Sequence, residues 1–358
     1  MGSEMCIRDS LLEPVVLSMS DTLFRMAGER HDERMQAVAI ATRLDYYYFQ
    51  GTNEDSVIHY TNKVKEFAKA THQPKYYYFA WANRLVTYYL KTSRTNIALY
   101  EVQNMLKEAQ KEDDKTGLSR CYNIMSQIYT IKRFDSMAFE WRLKEIELTE
   151  KYNIENYNIS QTYAQIANYY ISQKKQKEAL RAVEKAISTA NSSTQQISAK
   201  LEYVNYYSKF GDFQAAEKIL KECQIAFEQD KRLESIKKRL YNIECLYYQQ
   251  TRQYQKALEA AEMQEKEEHR LSESILSSSH YRTQGEIYQK MGNMNMAVKY
   301  LQMYINTDDS LKIANEQVAS SEFATLLNVE KLNAEKKELM LQAQEKELHN
   351  NCLLYTSP

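Results

Sequence analysis

A repeat of close to 40 residues restricts the fold of this chain more than any other feature of its sequence. One position recurs at spacings of 40, 40, 41, 37, 41 and 40 residues, and it is filled in turn by Ile58, Ala98, Ala138, Ala179, Ala216, Ala257 and Ala297. Nine residues before each of these comes an aromatic residue, namely Phe49, Tyr89, Tyr129, Tyr170, Tyr207, Tyr248 and Tyr288. A period of this length indicates stacked supersecondary units that bury their apolar faces only against one another.

Each unit is predicted to be a pair of antiparallel helices. The 358 residues include only 7 glycines and 3 prolines, so few positions interrupt a helix. Gly51, Gly211 and Gly292 fall between the aromatic and the small position of their units, where one helix is expected to end and the next to begin. In the best-preserved unit, Gly285 and Ala297 are predicted to lie at a close contact between the two helices. The sequence therefore predicts an all-α chain.

Four positions of this unit resemble the motif of the tetratricopeptide repeat family, which is small, aromatic, small and apolar: here Gly285, Tyr288, Ala297 and Leu301. A second unit fills the same positions with Ala167, Tyr170, Ala179 and Val183. The resemblance covers roughly residues 32–305 and implies a right-handed α-solenoid of about seven helical hairpins, followed by a long C-terminal helix. The family's usual period is about 34 residues. The longer repeats of this chain resemble those in the sensory region of membrane-anchored bacterial regulators.

The chain divides into the repeats and segments that flank them. Residues 11–31 are predicted to form an N-terminal cap, either a short helix docked on the first hairpin or half of an eighth hairpin. Residues 32–310 form the repeats, and residues 311–351 are predicted to be one long helix that caps the array. Positions seven residues apart make this helix a weak coiled-coil candidate, interrupted by lysines: Val318, Thr325, Leu332 and Leu339, with Lys336 and Lys346.

Both ends of the chain resemble translated adapter sequence rather than native protein. Residues 1–10 (MGSEMCIRDS) and 352–358 (CLLYTSP) are therefore left out of the fold prediction. The resemblance to sensory regions implies a bacterial protein whose repeats lie outside the cytoplasm, joined to a membrane anchor and an output domain; a cytoplasmic location is the alternative. No apolar run approaches the ~18 residues that a membrane span needs.

Composition and motifs argue against catalysis, metal binding and nucleic-acid binding. The 47 basic residues balance 48 acidic ones, which leaves no basic excess for a nucleic acid. The 5 cysteines contain no CxxC pair, and the sequence has neither a Gly-rich phosphate loop nor an HExxH motif. The histidine at residue 31 and the acids at 32–33 lie at a predicted helix start, where the helix dipole favours acidic side chains. We therefore predict no enzyme, no metal and no cofactor.

Asparagine is the candidate binding residue. The family resemblance implies that the first helices of the hairpins line a concave groove that receives an extended peptide. Asparagine occupies one of two groove positions in five of the seven units, and its amide offers a donor and an acceptor that match a peptide backbone. Nearby arginines would add positive charge for a carboxylate. The predicted site comprises Asn83, Arg84, Arg120, Asn123, Asn168, Asn205, Asn242 and Arg282. The alternative is that these asparagines are solvated or bond to neighbouring helices.

The leading functional hypothesis is a peptide-binding scaffold that forms the sensory part of a signalling or transcriptional regulator. Peptide capture would change the pitch of the superhelix, and the C-terminal helix would transmit that change. One alternative is a structural scaffold that uses its convex face and the C-terminal helix, which could also pair two copies as a homodimer. Another is an enzyme built on a closed helical toroid. Exchanging Asn168 and Asn205 together separates groove binding from the scaffold alternative.

Overall fold

The computed structural model describes residues 13–51, 53–271 and 278–355, and within these ranges the chain is an α-solenoid of seven hairpins without a strand. The first helices of the hairpins are α2 (Glu33–Gln50), α4 (Pro74–Tyr78, continued by Phe79–Val86 and Thr87–Lys91), α6 (Lys115–Ile131), α8 (Ile159–Ser172), α10 (Ser193–Phe210), α12 (Lys237–Gln250) and α14 (Ser279–Lys290). The second helices are α3 (Glu54–Ala70), α5 (Thr95–Lys111), α7 (Asp135–Tyr152), α9 (Gln176–Ser188), α11 (Phe213–Gln229), α13 (Tyr254–Leu271) and α15 (Met294–Tyr355). A preceding helix, α1 (Val15–Glu29), docks on α2, and a 3-10 helix (Lys231–Ile236) joins α11 to α12.

The small residues of the repeat lie where the two helices of each hairpin touch. The alanine at this position is at most 3% exposed in each of six hairpins: Ala98, Ala138, Ala179, Ala216, Ala257 and Ala297. In the first hairpin Ile58 is half-buried, and its neighbour Val57 is the fully buried residue. A Cβ atom on Gly285 would lie 2.8 Å from Leu301 Cγ, so only glycine admits the leucine there. The predicted close contact is confirmed.

A residue in the left-handed conformation ends the first helix of every hairpin. Three of the seven are glycines, with φ of 70° at Gly51, 90° at Gly211 and 78° at Gly292. The other four are Ser93, Arg133, Lys174 and Arg252, with φ between 56° and 62°. Their Cβ atoms crowd the following carbonyl oxygen, which costs roughly 1–2 kcal/mol for an L-residue. The glycine turns were predictable from the sequence, but nothing in the residue types indicated that Lys174 and the two arginines adopt the same geometry.

Lys174→Gly is expected to stabilise the protein by up to about 1 kcal/mol, because glycine adopts positive φ without strain. The matched control is Gly211→Ala, since a Cβ there meets nothing within 4 Å and its effect is backbone strain alone. We expect this control to destabilise by about 1 kcal/mol. Urea unfolding measures the free energy of unfolding of both variants. Changes of the same sign in the two variants would contradict the assignment of the effect to backbone strain.

The C-terminal helix begins inside the last hairpin. α15 runs without interruption for 62 residues from Met294 to Tyr355, roughly 93 Å at the usual rise per residue. It therefore continues across the predicted boundary at residue 310, and the second helix of the seventh hairpin and the segment 311–351 are one element. Asp308 bonds to Lys312, and Ser310 Oγ donates to the Asn306 carbonyl, so these polar residues are accommodated within the helix.

The predicted foreign ends lie mostly outside the described residues; of them, only residues 352–355 are described, as the last residues of α15. Within the described ranges, no helix is both long and apolar enough to cross a bilayer.

Candidate functional site

Polar side chains join neighbouring first helices across the face that these helices form, called here the groove face. Each pair links residues 37 to 39 positions apart, which is one repeat. The four pairs are Asp45 with Arg84, Asn83 with Arg120, Asn168 with Asn205, and Glu202 with Arg239. Five of the eight predicted site residues belong to these pairs. Asn83 bonds to Arg120 and Asn168 bonds to Asn205, whereas Arg84 bonds to Asp45, which was not among the predicted residues.

Arg120 is the most distinctive of the predicted residues. Its Nη1 donates to Asn83 Oδ1 at 2.8 Å, while its Nε is buried and has no hydrogen-bond partner. No carboxylate among the described residues forms an ion pair with it, and burial lowers the pKa of the guanidinium. Arg120 is half-buried, and a partly desolvated cation without a counter-ion is stabilised by an anion or a hydrogen-bond acceptor. The Nε of Arg120 could therefore donate a hydrogen bond to an acceptor group.

A cavity of about 340 Å³ opens beside Arg120, between α4, α6 and the loop that joins α7 to α8. Its volume falls within the range of ligand pockets, roughly 300–1,000 Å³. Its polar lining includes Asn83, Thr87, Ser119, Arg120, Asn123, Gln127, Glu145, Asn156 and Asn158. This is the place where predicted groove residues from two hairpins share a single concave site.

Glu145 holds the floor of this cavity in place. It is 1% exposed, and its carboxylate accepts from Asn123 Nδ2 at 3.1 Å to each oxygen and from Asn156 Nδ2 at 2.9 Å. Burial raises the pKa of Glu145, and the hydrogen bonds from Asn123 and Asn156 oppose that shift. The Oδ1 atom of Asn123 accepts from Gln127 Nε2 at 2.6 Å. The amide of Asn123 is thus committed to the protein and orients the acid beneath the cavity.

The Asn168–Asn205 pair leaves half of each amide available. Asn205 Nδ2 donates to Asn168 Oδ1 at 2.7 Å, and both side chains are half-buried. Within the described part of the chain, no hydrogen bond engages Asn168 Nδ2 or Asn205 Oδ1. This pair therefore has, among the described residues, one donor and one acceptor without a partner, the combination that a peptide unit of an extended chain requires.

The remaining predicted residues differ in their availability. Arg84 Nε bonds to Asp45 at 2.5 Å, and its guanidinium stacks on the rings of Tyr48 and Phe79, so it braces the first two hairpins rather than facing solvent. Asn242 is exposed on α12. Arg282 is exposed and pairs with Glu286 one turn along α14, an ion pair that raises the pKa of Arg282. Neither of these two residues lines the cavity.

Two features of the site were missed by sequence reasoning. The eight residues Phe79–Val86 form a π-helical segment that carries both Asn83 and Arg84, and π-helical turns are frequent at functional sites. No pattern of residue types in the sequence predicts this segment. Glu145 and the loop 153–158 were also missed, although the loop sequence Asn-Ile-Glu-Asn-Tyr-Asn was an available sign because it repeats the amide-bearing residue type of the groove.

Groups suited to catalysis are not concentrated here. Among the described residues, no set of three or more His, Cys, Asp or Glu could hold a metal ion. Burial raises the pKa of the Cys121 thiol to about 12 and that of Cys223 to about 11, so both thiols stay protonated at neutral pH. Tyr46, Tyr48, Tyr77 and Tyr78 are all buried, and the last three belong to the apolar core of the first three hairpins.

Solved structures that resemble this fold include RapI and two structures of NprR. The apo form of RapI gives a TM-score of 0.54 at 15% identity, covering 75% of this chain and 98% of that one. NprR in complex with its cognate peptide NprX gives 0.54 at 12% identity, covering 75% and 78%. The apo form of the quorum sensor NprR from B. thuringiensis gives 0.51 at 15% identity, covering 81% and 82%. At these identities the likeness concerns the fold, a tetratricopeptide-like α-solenoid.

No protein-family model and no curated protein matches the chain.

Proposed function

We propose that the chain is a peptide-binding scaffold whose ligand lies extended along the groove face, with a carboxylate of the ligand at Arg120. The observation that carries this proposal is the half-buried Arg120 side chain, which borders a cavity of about 340 Å³ and has a buried Nε without a hydrogen-bond partner. A ligand carboxylate supplies both the missing charge and the missing acceptor, and guanidinium–carboxylate bonds are among the stronger hydrogen bonds in proteins.

The Asn168–Asn205 pair supports the same proposal one hairpin farther along. Its available donor and acceptor match the alternation of C=O and N–H groups in an extended peptide. Backbone contacts of this kind hold a chain without reading its side chains, so sequence preference would come from the cavity. One of the structures similar in fold is NprR with its cognate peptide, and another is the quorum sensor NprR without one. We further propose that this chain is the sensory part of a regulator.

Peptide binding by purified full-length chain tests the proposal, with a fluorescent library of free-acid peptides and the same peptides amidated at the C-terminus. Arg120→Gln is expected to lower the affinity for free-acid peptides by roughly 10- to 100-fold, which is the effect of losing a charged hydrogen bond. Amidation should weaken binding to the wild type but make little difference to the variant, because the carboxylate has then lost its partner. The double variant Asn168→Ala/Asn205→Ala should lower the affinity for free-acid and amidated peptides by the same factor.

The controls are Arg181→Gln and Asn62→Ala, which remove exposed residues of the same types from the second helices α9 and α3. Both should bind like the wild type. Unchanged peptide affinity in the Arg120 and the Asn168/Asn205 variants would exclude the groove face as the binding site. That result would favour the second candidate, a scaffold that pairs through α15, for which the exposed Leu339, Met340 and Leu341 are the supporting observation.

A further inference from the structure

The second helix of the second hairpin is capped by a residue from the far end of the chain. Arg94, the residue before α5, makes no capping hydrogen bond and pairs instead with Glu54. The first N–H groups of any helix lack partners within that helix. In α5 the backbone N–H groups of Asn96 and Ile97 donate to Glu322 Oε1 of α15, at 3.0 and 3.3 Å.

Side chains complete this contact. Asn96 Nδ2 donates to Glu322 Oε2 at 2.7 Å, and Asn96 Oδ1 accepts from Lys132 Nζ at 2.7 Å. Lys132 lies at the end of α6, so one network joins the second hairpin, the third hairpin and α15. Glu322 is 3% exposed. Buried carboxylates need this degree of hydrogen bonding, and the N-terminal end of a helix favours negative charge.

Two further contacts lie on the same face of α15. Asp308, 14 residues before Glu322, lies 3.7 Å from Arg133 in the turn of the third hairpin. Leu326, one turn after Glu322, packs against the core of the first three hairpins. Steps of 14 and 4 residues keep all three on one side of a helix, over a length of roughly 27 Å. The last helix thus crosses back over the third and second hairpins and closes the superhelix on itself.

We propose that the Glu322 contact is releasable, and that it switches the protein between a closed superhelix and an open one with a free C-terminal arm. Beyond Leu326, every side chain of α15 whose exposure is described is exposed, including Lys331, Glu335, Lys337, Glu338 and Leu339. The closing contact is chiefly polar, and exchanging such hydrogen bonds for bonds to water has a small net cost. Separating two hairpins exposes apolar surface and costs far more. The closing contact therefore opens first.

Regulation follows if the groove is occupied, a step that rests on the proposed function. A peptide that bridges neighbouring first helices changes the angle between hairpins. Small changes add up along a solenoid, so the second hairpin moves relative to the seventh. The hydrogen bonds of Glu322 to the first turn of α5 then break, and α15 is released.

Hydrogen exchange measured by mass spectrometry on the full chain tests the contact without any ligand. In Glu322→Ala we expect amide exchange in the first turn of α5 and across residues 308–326 to become roughly five- to tenfold faster, the effect of losing a helix cap. The control is Glu335→Ala, an exposed acid on the same helix, which should change neither segment. Unchanged exchange in α5, or faster exchange throughout the solenoid, would overturn a separately releasable contact.

The coupling is tested with a peptide that the groove assay has selected. Saturating the wild type should accelerate exchange in the same two segments, and bound protein without that change would overturn the coupling while leaving peptide binding intact. If the wild type binds no peptide, the proposed function is wrong. The exchange rates of ligand-free Glu322→Ala would still show whether the Glu322 contact is separately releasable.

Discussion

Gly117→Ala is expected to lower the free energy of unfolding by about 3 kcal/mol, within the upper range for overpacked cores. A Cβ atom at Gly117 would lie 2.3 Å from Cζ and 2.5 Å from the hydroxyl oxygen of Tyr78. Tyr78 is 1% exposed and belongs to the core of the first three hairpins, so its ring cannot move aside without displacing other buried side chains. The better helix propensity of alanine offsets about 1 kcal/mol at most.

The control for this prediction is Gly28→Ala in α1. There a Cβ would meet only the flexible side chain of Gln36, whose Nε2 would lie 2.9 Å away. We expect a neutral or slightly stabilising effect, up to about 0.5–1 kcal/mol. In a Tyr78→Leu background, which lacks the ring, Gly117→Ala should cost almost nothing further. Urea unfolding gives all four values, and a full cost in that background would show that the ring is not the obstacle.

Arg239→Ala is expected to destabilise the chain by about 3 kcal/mol, because it leaves a buried carboxylate without its cation. Glu202 is 1% exposed, and one of its oxygens bonds to Arg239 Nη2 while the other is buried without a hydrogen-bond partner. The Arg239 side chain is 27% exposed, which places the effect at the lower end of the range for buried pairs. Thermal and urea unfolding measure the loss.

Two comparisons isolate the buried charge. Arg282→Ala removes an arginine whose ion pair with Glu286 is exposed, at 61% and 44%, and should cost less than about 0.5 kcal/mol. Arg239→Met/Glu202→Leu removes both charges and should recover most of the stability lost in Arg239→Ala, since apolar replacement of a whole buried pair is often neutral. A double variant as unstable as Arg239→Ala would attribute the loss to packing instead.

The residues of the groove face were predictable from the sequence, but their arrangement was not. The sequence placed Asn168 and Asn205 at equivalent positions of adjacent repeats, and the structure joins them directly. It also placed Arg120 near the groove, but the repeat spacing did not show that Glu145 and the loop 153–158 build a cavity around it. The predicted peptide contacts remain a prediction, to be decided by the binding experiments.

The repeat, the hairpins and their close contacts were determined by the sequence alone. A helix and its turn depend on residues a few positions apart, and alanine at one recurring position makes the same contact six times. Glycine at 285 belongs to the same local pattern, since Leu301 lies only 16 residues away. Such local patterns can be recognised in a single sequence because each unit packs in the same way and repeats the same residue types.

Only the tertiary structure decided which polar groups meet. The pairs 37 to 39 residues apart depend on the angle between hairpins, which no residue spacing records. The contact of Glu322 with Asn96 joins residues 226 positions apart. It depends on small rotations summed over five hairpins, so an error too slight to alter any one hairpin would separate the two side chains. For that reason the sequence could predict the superhelix but not its closure.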